Sequence, residues 1–417
     1  MSSFCRIKLN TLFAKKQLLP AIAFCFALLS CTTLKAQFTM SSDSAFNAGS
    51  PNTGRLWGYA FGDFYYKAHS DALVRGGSNQ YSGVPQKSNA FALRRVYLGY
   101  DYNITKKFSA ELLLAAEDNF TLTSLTGTTT TSGDLLSNNK LSFYIKLANI
   151  RWKNIWKNTD LVVGQVSTPA FALLSEKIWS YRSVERTIAD IRRTPSFDLG
   201  VTLQGKFDDK GNYGYNVMVG NGNGAKPEND KFKWFYGDVY AMFLDKKLVF
   251  DLYADYQRMN WIDGFHHSRN MVKGFVAYTT PKITVGVEGF INHGKNDVVG
   301  INGALKDTTN ANAAGISTYV RGSIIKNKLG FFARFDSYNP DTKYNNSTFT
   351  KYTGFTSTYE PNNKEDFITV GLDFTPVKNV HFMPNIWYSK YKGQQAGSSN
   401  TDHDLVYRAT FFYVFGK

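Results

Sequence analysis

Residues 405–415 read Leu405-Val406-Tyr407-Arg408-Ala409-Thr410-Phe411-Phe412-Tyr413-Val414-Phe415. Leu405, Tyr407, Phe411, Tyr413 and Phe415 share one side of a period of two, and Arg408 and Thr410 share the other. Such a segment is too short and too polar to cross a bilayer as a helix, but about ten residues of tilted strand do cross one. A lone strand cannot do so, because lipid offers its backbone groups no partners; the strands must close into a barrel.

The same alternation recurs back to about residue 55. In 107–118, Phe108, Ala110, Leu112, Leu114 and Ala116 oppose Ser109, Glu111 and Glu117. In 247–258, Leu248, Phe250, Leu252 and Ala254 oppose Asp251 and Asp255. In 328–338, Leu329, Phe331, Ala333 and Phe335 oppose Arg334 and Asp336. The pattern predicts sixteen strands: 56–68, 91–103, 107–118, 141–153, 160–167, 198–207, 213–220, 232–244, 247–258, 269–279, 282–293, 314–326, 328–338, 366–375, 380–391 and 404–415. Their connections alternate between short turns, such as Asp245-Lys246 and Thr280-Pro281, and long polar segments, such as 119–140, 168–197, 294–313 and 339–365. Short turns at one rim and long loops at the other is the arrangement of an outer-membrane barrel. The expected fold is therefore an all-β transmembrane antiparallel barrel over 55–417, with lipid on one face of each strand and water on the other. Trp57, Trp152, Trp156, Trp234 and Trp387 fall near predicted strand ends, where aromatic girdles sit.

Composition agrees. The 417 residues are 16% aromatic with 11 prolines, which suits strands. Residues 1–36 read as an export signal: Arg6, Lys8, Lys15 and Lys16 precede an apolar core, Leu18 to Leu29, and Leu34-Lys35-Ala36 precedes a cut before Gln37. A lipoprotein reading, with Leu28-Leu29-Ser30 before Cys31, is the alternative. Residues 37–54 read as a flexible lead-in. Cys5, Cys25 and Cys31 all lie in the signal, so cleavage after Ala36 leaves no cysteine for disulfides, thiol catalysis or thiolate zinc sites. The formal net charge is +15; five basic residues and no acidic one lie within 1–36, leaving the remainder at +10. Those charges are dispersed, and no nucleic-acid motif accompanies them. In an exported barrel they bias a lumen toward anions.

The third long connection, 168–197, departs from the others. Leu174, Ile178, Tyr181 and Ile188 fall near one helical stripe, and a helix over 174–191 is expected. Arg182 and Arg186 are spaced i, i+4, and Arg193 returns to nearly the same angle with Arg192 beside it. A segment of this kind folded into the lumen would present guanidinium groups to passing anions. Alternatively, these arginines pair with wall acids such as Glu111, Glu117, Asp251 or Asp255 and brace the segment. Arg95, Lys146, Lys206, Arg321, Arg334 and Arg408 are further lumen-lining candidates, each also able to form half of an ion pair.

Two stretches resemble the phosphate-selective porin O and P family. One is Phe91-Ala-Leu-Arg-Arg-Val-Tyr-Leu-Gly-Tyr100 with the hairpin at Asn103-Ile-Thr-Lys-Lys107. The other runs through Gly164-Gln-Val-Ser-Thr-Pro169, Glu176-Lys-Ile-Trp-Ser-Tyr-Arg182 and Ser196-Phe-Asp-Leu-Gly-Val201. The resemblance, in its Bacteroidetes branch, is specific over 91–205. It implies a sixteen-stranded, homotrimeric outer-membrane channel for small anionic or polar solutes, some members preferring phosphate. The family's lumenal arginine ladder is not matched residue by residue outside the third loop, so anion preference carries over and phosphate selectivity does not. Gly416-Lys417 follows the terminal aromatic, a second departure.

No cofactor is expected. The six histidines are scattered in sequence, and His266-His267 alone does not make a metal site. Gly220-Asn-Gly-Asn-Gly224 lacks the Lys-Ser/Thr of a phosphate loop, and no motif supports an enzyme. The expectation is a porin for passive diffusion with an anion bias. A barrel serving as receptor or scaffold of an outer-membrane complex, with its lumen occluded, is the alternative.

Overall fold

The computed structural model describes residues 50–416, apart from 77–78, 118–119, 124–128, 133–142, 193, 261, 263, 304, 356–362 and 395–400. Sixteen long strands follow one another as β1 (Thr53–His69), β2 (Asn89–Asn103), β3 (Phe108–Glu117), β4 (Phe143–Trp156), β5 (Thr159–Ser167), β6 (Phe197–Lys206), β7 (Tyr213–Gly220) and β8 (Trp234–Phe243). They continue as β9 (Leu248–Met259), β10 (His267–Thr279), β11 (Ile283–Asn302), β12 (Leu305–Ile325), β13 (Leu329–Asn339), β14 (Asn363–Val377), β15 (Val380–Gly393) and β16 (Thr401–Phe415). Each pairs antiparallel with its chain neighbours. β1 also pairs with β16, from Gly58 opposite Phe415 to His69 opposite Leu405, so the sheet closes and has no free edge. The bounds of β7 are those the sequence predicts, and every other strand matches its expected position to within a few residues except β11 and β12, which run far longer.

Burial follows the period-two pattern. On β9, Phe250, Leu252 and Tyr256 are exposed on the outside, while Val249, Asp251, Tyr253, Asp255 and Gln257 are buried on the inside. Polar and ionic groups thus sit within the barrel and apolar ones around it, the inverse of a soluble core and the arrangement lipid requires. Among the described residues no helix is long and apolar enough to cross a membrane. The short turns use residues that tolerate the left-handed region: Asn158, Asn327 and Asn379 have φ of 62°, 57° and 69°.

Three expectations change. Within 294–313, read as a loop, residues 294–302 and 305–313 form the upper part of the β11–β12 ribbon, where Asn302 pairs with Leu305. A two-residue strand, Gly354–Phe355, returns to pair with that ribbon. Of the five tryptophans read as a girdle, Trp152 and Trp156 are exposed on the outside, but Trp57, Trp234 and Trp387 are buried on the inner face.

Candidate functional site: the lumenal segment

The chain between β5 and β6, residues 168–196, folds into the bore. It contains two short helices, α1 (Ser175–Trp179) and α2 (Ile188–Arg192), in place of the single helix the periodicity predicts. Ser180 ends α1 in the left-handed region, with φ 63° and its N–H on the Glu176 carbonyl at 2.9 Å. Arg182 and Arg186 therefore lie on the turn between the helices.

One side of the segment is apolar and buried. Ile178, Trp179 and Val184 pack with Phe275, Tyr319, Phe332 and Met383 of the wall, and Phe171, Ile188 and Ala189 pack with Tyr253, Met271 and Phe290. Close approach is possible because the wall offers Gly315, where a Cβ would come within 3.0 Å of Ile188 Cδ1 and 2.6 Å of the Phe290 ring. Polar pins complete the docking. Trp387 Nε1 donates to Glu185 Oε2 at 2.8 Å, Trp179 Nε1 donates to the Glu185 carbonyl at 2.8 Å, and Arg321 Nε donates to the Ile178 carbonyl at 2.9 Å.

The other side is charged. Arg182 Nη1 donates to Asp190 Oδ2 at 2.7 Å and also binds Glu176, tying α1 to α2. Arg186 stands 3.9 Å from both Asp190 and Glu185 and keeps 22% of its side chain exposed. These two arginines thus meet acids of their own segment rather than the wall acids considered from sequence. Arg192 does meet a wall acid: Nη2 lies 2.6 Å from Glu365 Oε1, with its guanidinium 4.4 Å from the Tyr338 ring centre. Arg193 lies outside the described residues.

Opposite the charged edge, two β-bulges reshape the wall. Phe61 pairs with Arg95 and Gly62 with Leu93, so Arg94 is the extra residue on β2. Likewise Leu113 pairs with Leu147 and Leu114 with Ile145, so Lys146 is extra on β4. A bulge lets two successive residues leave strict alternation. Arg94 and Arg95 therefore both reach inward: Arg94 Nε lies 2.5 Å from Asp63 Oδ2, and Arg95 Nη1 lies 2.6 Å from Glu117 Oε1. Lys146 Nζ meets the same Glu117 oxygen at 2.8 Å, and the Tyr97 hydroxyl donates to it at 2.9 Å. Arg95 and Lys146 stand within Coulombic reach of Asp190, and Lys146 also of Arg182. Four cations, Arg95, Lys146, Arg182 and Arg186, thus face four carboxylates, Glu117, Glu176, Glu185 and Asp190. Strict alternation misses Arg94; the doubled Arg94-Arg95 in an otherwise alternating strand is the signal that a bulge is present.

The remaining candidates fall into two groups. Glu111 accepts from Asn149 Nδ2 at 3.1 Å on the partly exposed inner face of β3–β4, and Lys206 is exposed at the turn-side end of β6. Asp251, Arg321, Arg334 and Arg408 lie on the β9–β16 wall, where the segment and first loop pack. Asp251 is buried with Lys273 Nζ at 2.9 Å, and Arg334 is buried 5.3 Å from the Trp179 ring with Asp336 as its carboxylate. Arg408 is buried 5.5 Å from the Tyr81 ring, its Nε donating to Asn385 Oδ1 at 2.7 Å.

Tyr81 belongs to a second insert that sequence reasoning did not find. In the first loop, residues 70–88, Tyr81 OH donates to Asp63 Oδ2 at 2.6 Å, Asn79 Nδ2 donates to Glu365 Oε1 at 2.7 Å, and Tyr81 and Val84 pack with Trp387 and Phe367. Arg94 joins the inserts, donating to Gln80 Oε1 at 2.9 Å and to the Ser183 carbonyl. The inner faces of β9, β10, β15 and β16 are consequently buried along most of their height, with Lys273 and Tyr253 at 0% exposure. Partly accessible inner positions include Arg95 on β2 and Arg151 on β4, with 16% and 22% of their side chains exposed, and Arg269 on β10, with 20%.

No family model matches the chain, and no curated protein sequence does. Solved structures do. The outer-membrane channel DcaP of Acinetobacter baumannii aligns with a TM-score of 0.60 at 10% identity, over 88% of this chain and 98% of that one. OprB of Pseudomonas putida aligns at 0.53 and 12% identity, over 89% and 96%. OmpF of Salmonella typhi, solved in complex with daunomycin, aligns at 0.53 and 10% identity, over 89% and 99%. At these identities the likeness is one of fold: a porin-like barrel.

Proposed function

We propose that the chain is an outer-membrane porin, a conduit for passive diffusion of small hydrophilic solutes with a bias toward anions. The observation that carries this reading is the amphipathic lumenal segment. Its apolar side is packed away on the β9–β15 wall, and its charged edge faces the bulged β2–β4 wall, where inner positions keep access to water. The guanidinium and ammonium groups gathered there, together with the basic excess of the chain, set the expected sign of the bias. The porin-like fold supports the same reading, as does the resemblance of 91–205 to phosphate-selective porins; phosphate is one solute to test. We further infer that 1–36 is an export signal and 37–54 a lead-in to the barrel, and that the barrel inserts in the outer membrane as a homotrimer.

The dense burial of the inner face favours a second reading, a receptor or scaffold barrel with an occluded lumen. Planar-bilayer conductance of the purified protein separates the two. Steady openings with an anion-selective reversal potential in a KCl gradient are expected; cation selectivity would remove the bias, and a barrel that never opens would support occlusion.

A further inference from the structure

Two histidines 334 positions apart in sequence meet at the seam that closes the barrel. β1 alternates regularly up to Lys67, which pairs with Val406; the next pairing joins His69 to Leu405, so Ala68 is an extra residue. The bulge turns His69 to the side that His403 already occupies on β16, and the imidazoles stack with centres 4.0 Å apart and planes 9° from parallel. Both rings are partly exposed, at the loop-side end of the seam.

Asp402 completes the group. Its Oδ1 lies 3.7 Å from Nδ1 of each histidine. The carboxylate is already oriented, Oδ1 accepting from the His403 N–H and Oδ2 from the Ala72 N–H, both at 2.8 Å. His69 gives its Nδ1–H to the His403 carbonyl at 2.8 Å. Metal-binding imidazoles commonly hand one nitrogen to a carbonyl in this way, which fixes the ring. One nitrogen of each ring and one Asp402 oxygen all lie within 4.8 Å of one another. Tetrahedral zinc, with bonds of roughly 2.0–2.2 Å, holds its ligands about 3.4 Å apart, so binding requires the two rings to turn out of their parallel stack until their in-plane lone pairs converge. The neighbouring acids are otherwise engaged: Asp404 with Lys67 at 2.6 Å and Asp71 with Arg75 at 2.7 Å.

We propose that His69, Asp402 and His403 form a transition-metal site on the rim of the barrel. Two imidazoles and one carboxylate suit Zn²⁺, Co²⁺, Ni²⁺ or Cu²⁺ rather than Ca²⁺ or Mg²⁺, which take oxygen ligands. A bound ion would staple β1 to β16 and fix the base of the first loop, whose inner part packs against the lumenal wall.

The test is a Zn²⁺ titration by calorimetry, and a Co²⁺ titration read by its visible absorption, on the folded full barrel without an affinity tag. One equivalent is expected to bind. The double variant His69→Gln/His403→Gln should lose that equivalent, and Asp402→Asn should bind ~10-fold more weakly or worse. His266→Gln/His293→Gln should bind as the parent does. Heat-modifiable mobility on a gel shows which variants are still barrels, and His403→Gln alone serves if the double variant fails to fold. Absence of a stoichiometric equivalent in the parent, or binding that survives loss of His403, overturns the proposal.

Discussion

Arg182 and Asp190 are joined by a 2.7 Å charge-assisted hydrogen bond that ties the two short helices of the lumenal segment together. Glu176 binds the same nitrogen, so a single guanidinium bridges two carboxylates, and the side chains keep only 10–20% exposure. Removing one partner from such a group strands the others, at a cost of roughly 3–5 kcal/mol. Arg182→Ala is therefore expected to loosen the segment and leave the facing charges with an acidic excess. Single-channel traces should become noisier, and the reversal potential in a KCl gradient should move toward that of a nonselective pore. Arg182→Lys separates the effects: it keeps the charge but loses the planar fork, so selectivity should hold while the noise rises.

The bulge at Arg94 makes a topological prediction that strict alternation contradicts. Cysteines placed one at a time at positions 93 to 96 of a chain lacking Cys5, Cys25 and Cys31 report which side each position faces. Positions 94 and 95 should both be protected from a lipid-dissolved maleimide, because both side chains reach inward. Position 93, exposed on the outside, should react readily with it, and the inward pair should react with a small water-soluble thiosulfonate where water reaches them. Alternating reactivity through 93–96 would remove the bulge.

The strands were legible because lipid enforces period two so strictly: one misplaced residue exposes an ionised group to hydrocarbon. What was not legible depends on partners distant in sequence. That Arg94 and Arg95 both face inward is settled by the register with β1; the Arg-Arg pair marks a break in alternation without placing the extra residue. The left-handed turn at Ser180 splits a stripe of apolar residues that would suit one helix, because Trp179 must reach Phe332 and Tyr319 while Arg182 must return to Glu176. Trp387 reads as a girdle residue because it lies near a strand end, yet its indole serves Glu185 of the segment. His69 and His403 are scattered in sequence and adjacent in space because the first and last strands are neighbours in a closed barrel.

Outside the membrane, the strap 350–355 is held to the β11–β12 ribbon by charge. Asp307 Oδ2 accepts from Lys351 Nζ at 2.8 Å and from the Tyr352 hydroxyl at 2.9 Å. The Lys351 hydrogen bond first, and the Tyr352 hydroxyl second, hold the Asp307 carboxyl below its usual range. With the folded value depressed, the stabilisation is fully present above the ordinary aspartate value of about 3.9 and is lost as pH falls through the depressed one. Hydrogen exchange over 350–355, corrected for its intrinsic rate, should stay slow from neutral pH down to about 4 and accelerate below that. Asp307→Asn should abolish the acid step.

Lys273 tests whether a buried wall charge takes part in conduction at all. Its ammonium is fully buried, 2.9 Å from Asp251 Oδ2 and 3.9 Å from Glu288 Oε2, with Tyr253 and Phe275 each 5.9 Å away. The α2 backbone covers this cluster, since the Ala189 N–H donates to Glu288 Oε1 at 3.3 Å. Lys273→Met leaves the carboxylates uncompensated and should lower the barrel's stability by roughly 3–5 kcal/mol, read as a lower denaturant midpoint in detergent. Adding Asp251→Leu should recover part of that loss, because a buried pair replaced on both sides is far less costly than one broken on one side. The selectivity of Lys273→Met should match the parent's, since a charge sealed behind the segment meets no passing ion. Lys146→Met, on the wall that faces Arg182 and Asp190, should shift the reversal potential instead. Equal shifts from both lysines would mean that ions pass behind the lumenal segment as well as in front of it, and that the buried β9–β15 wall is part of the pore.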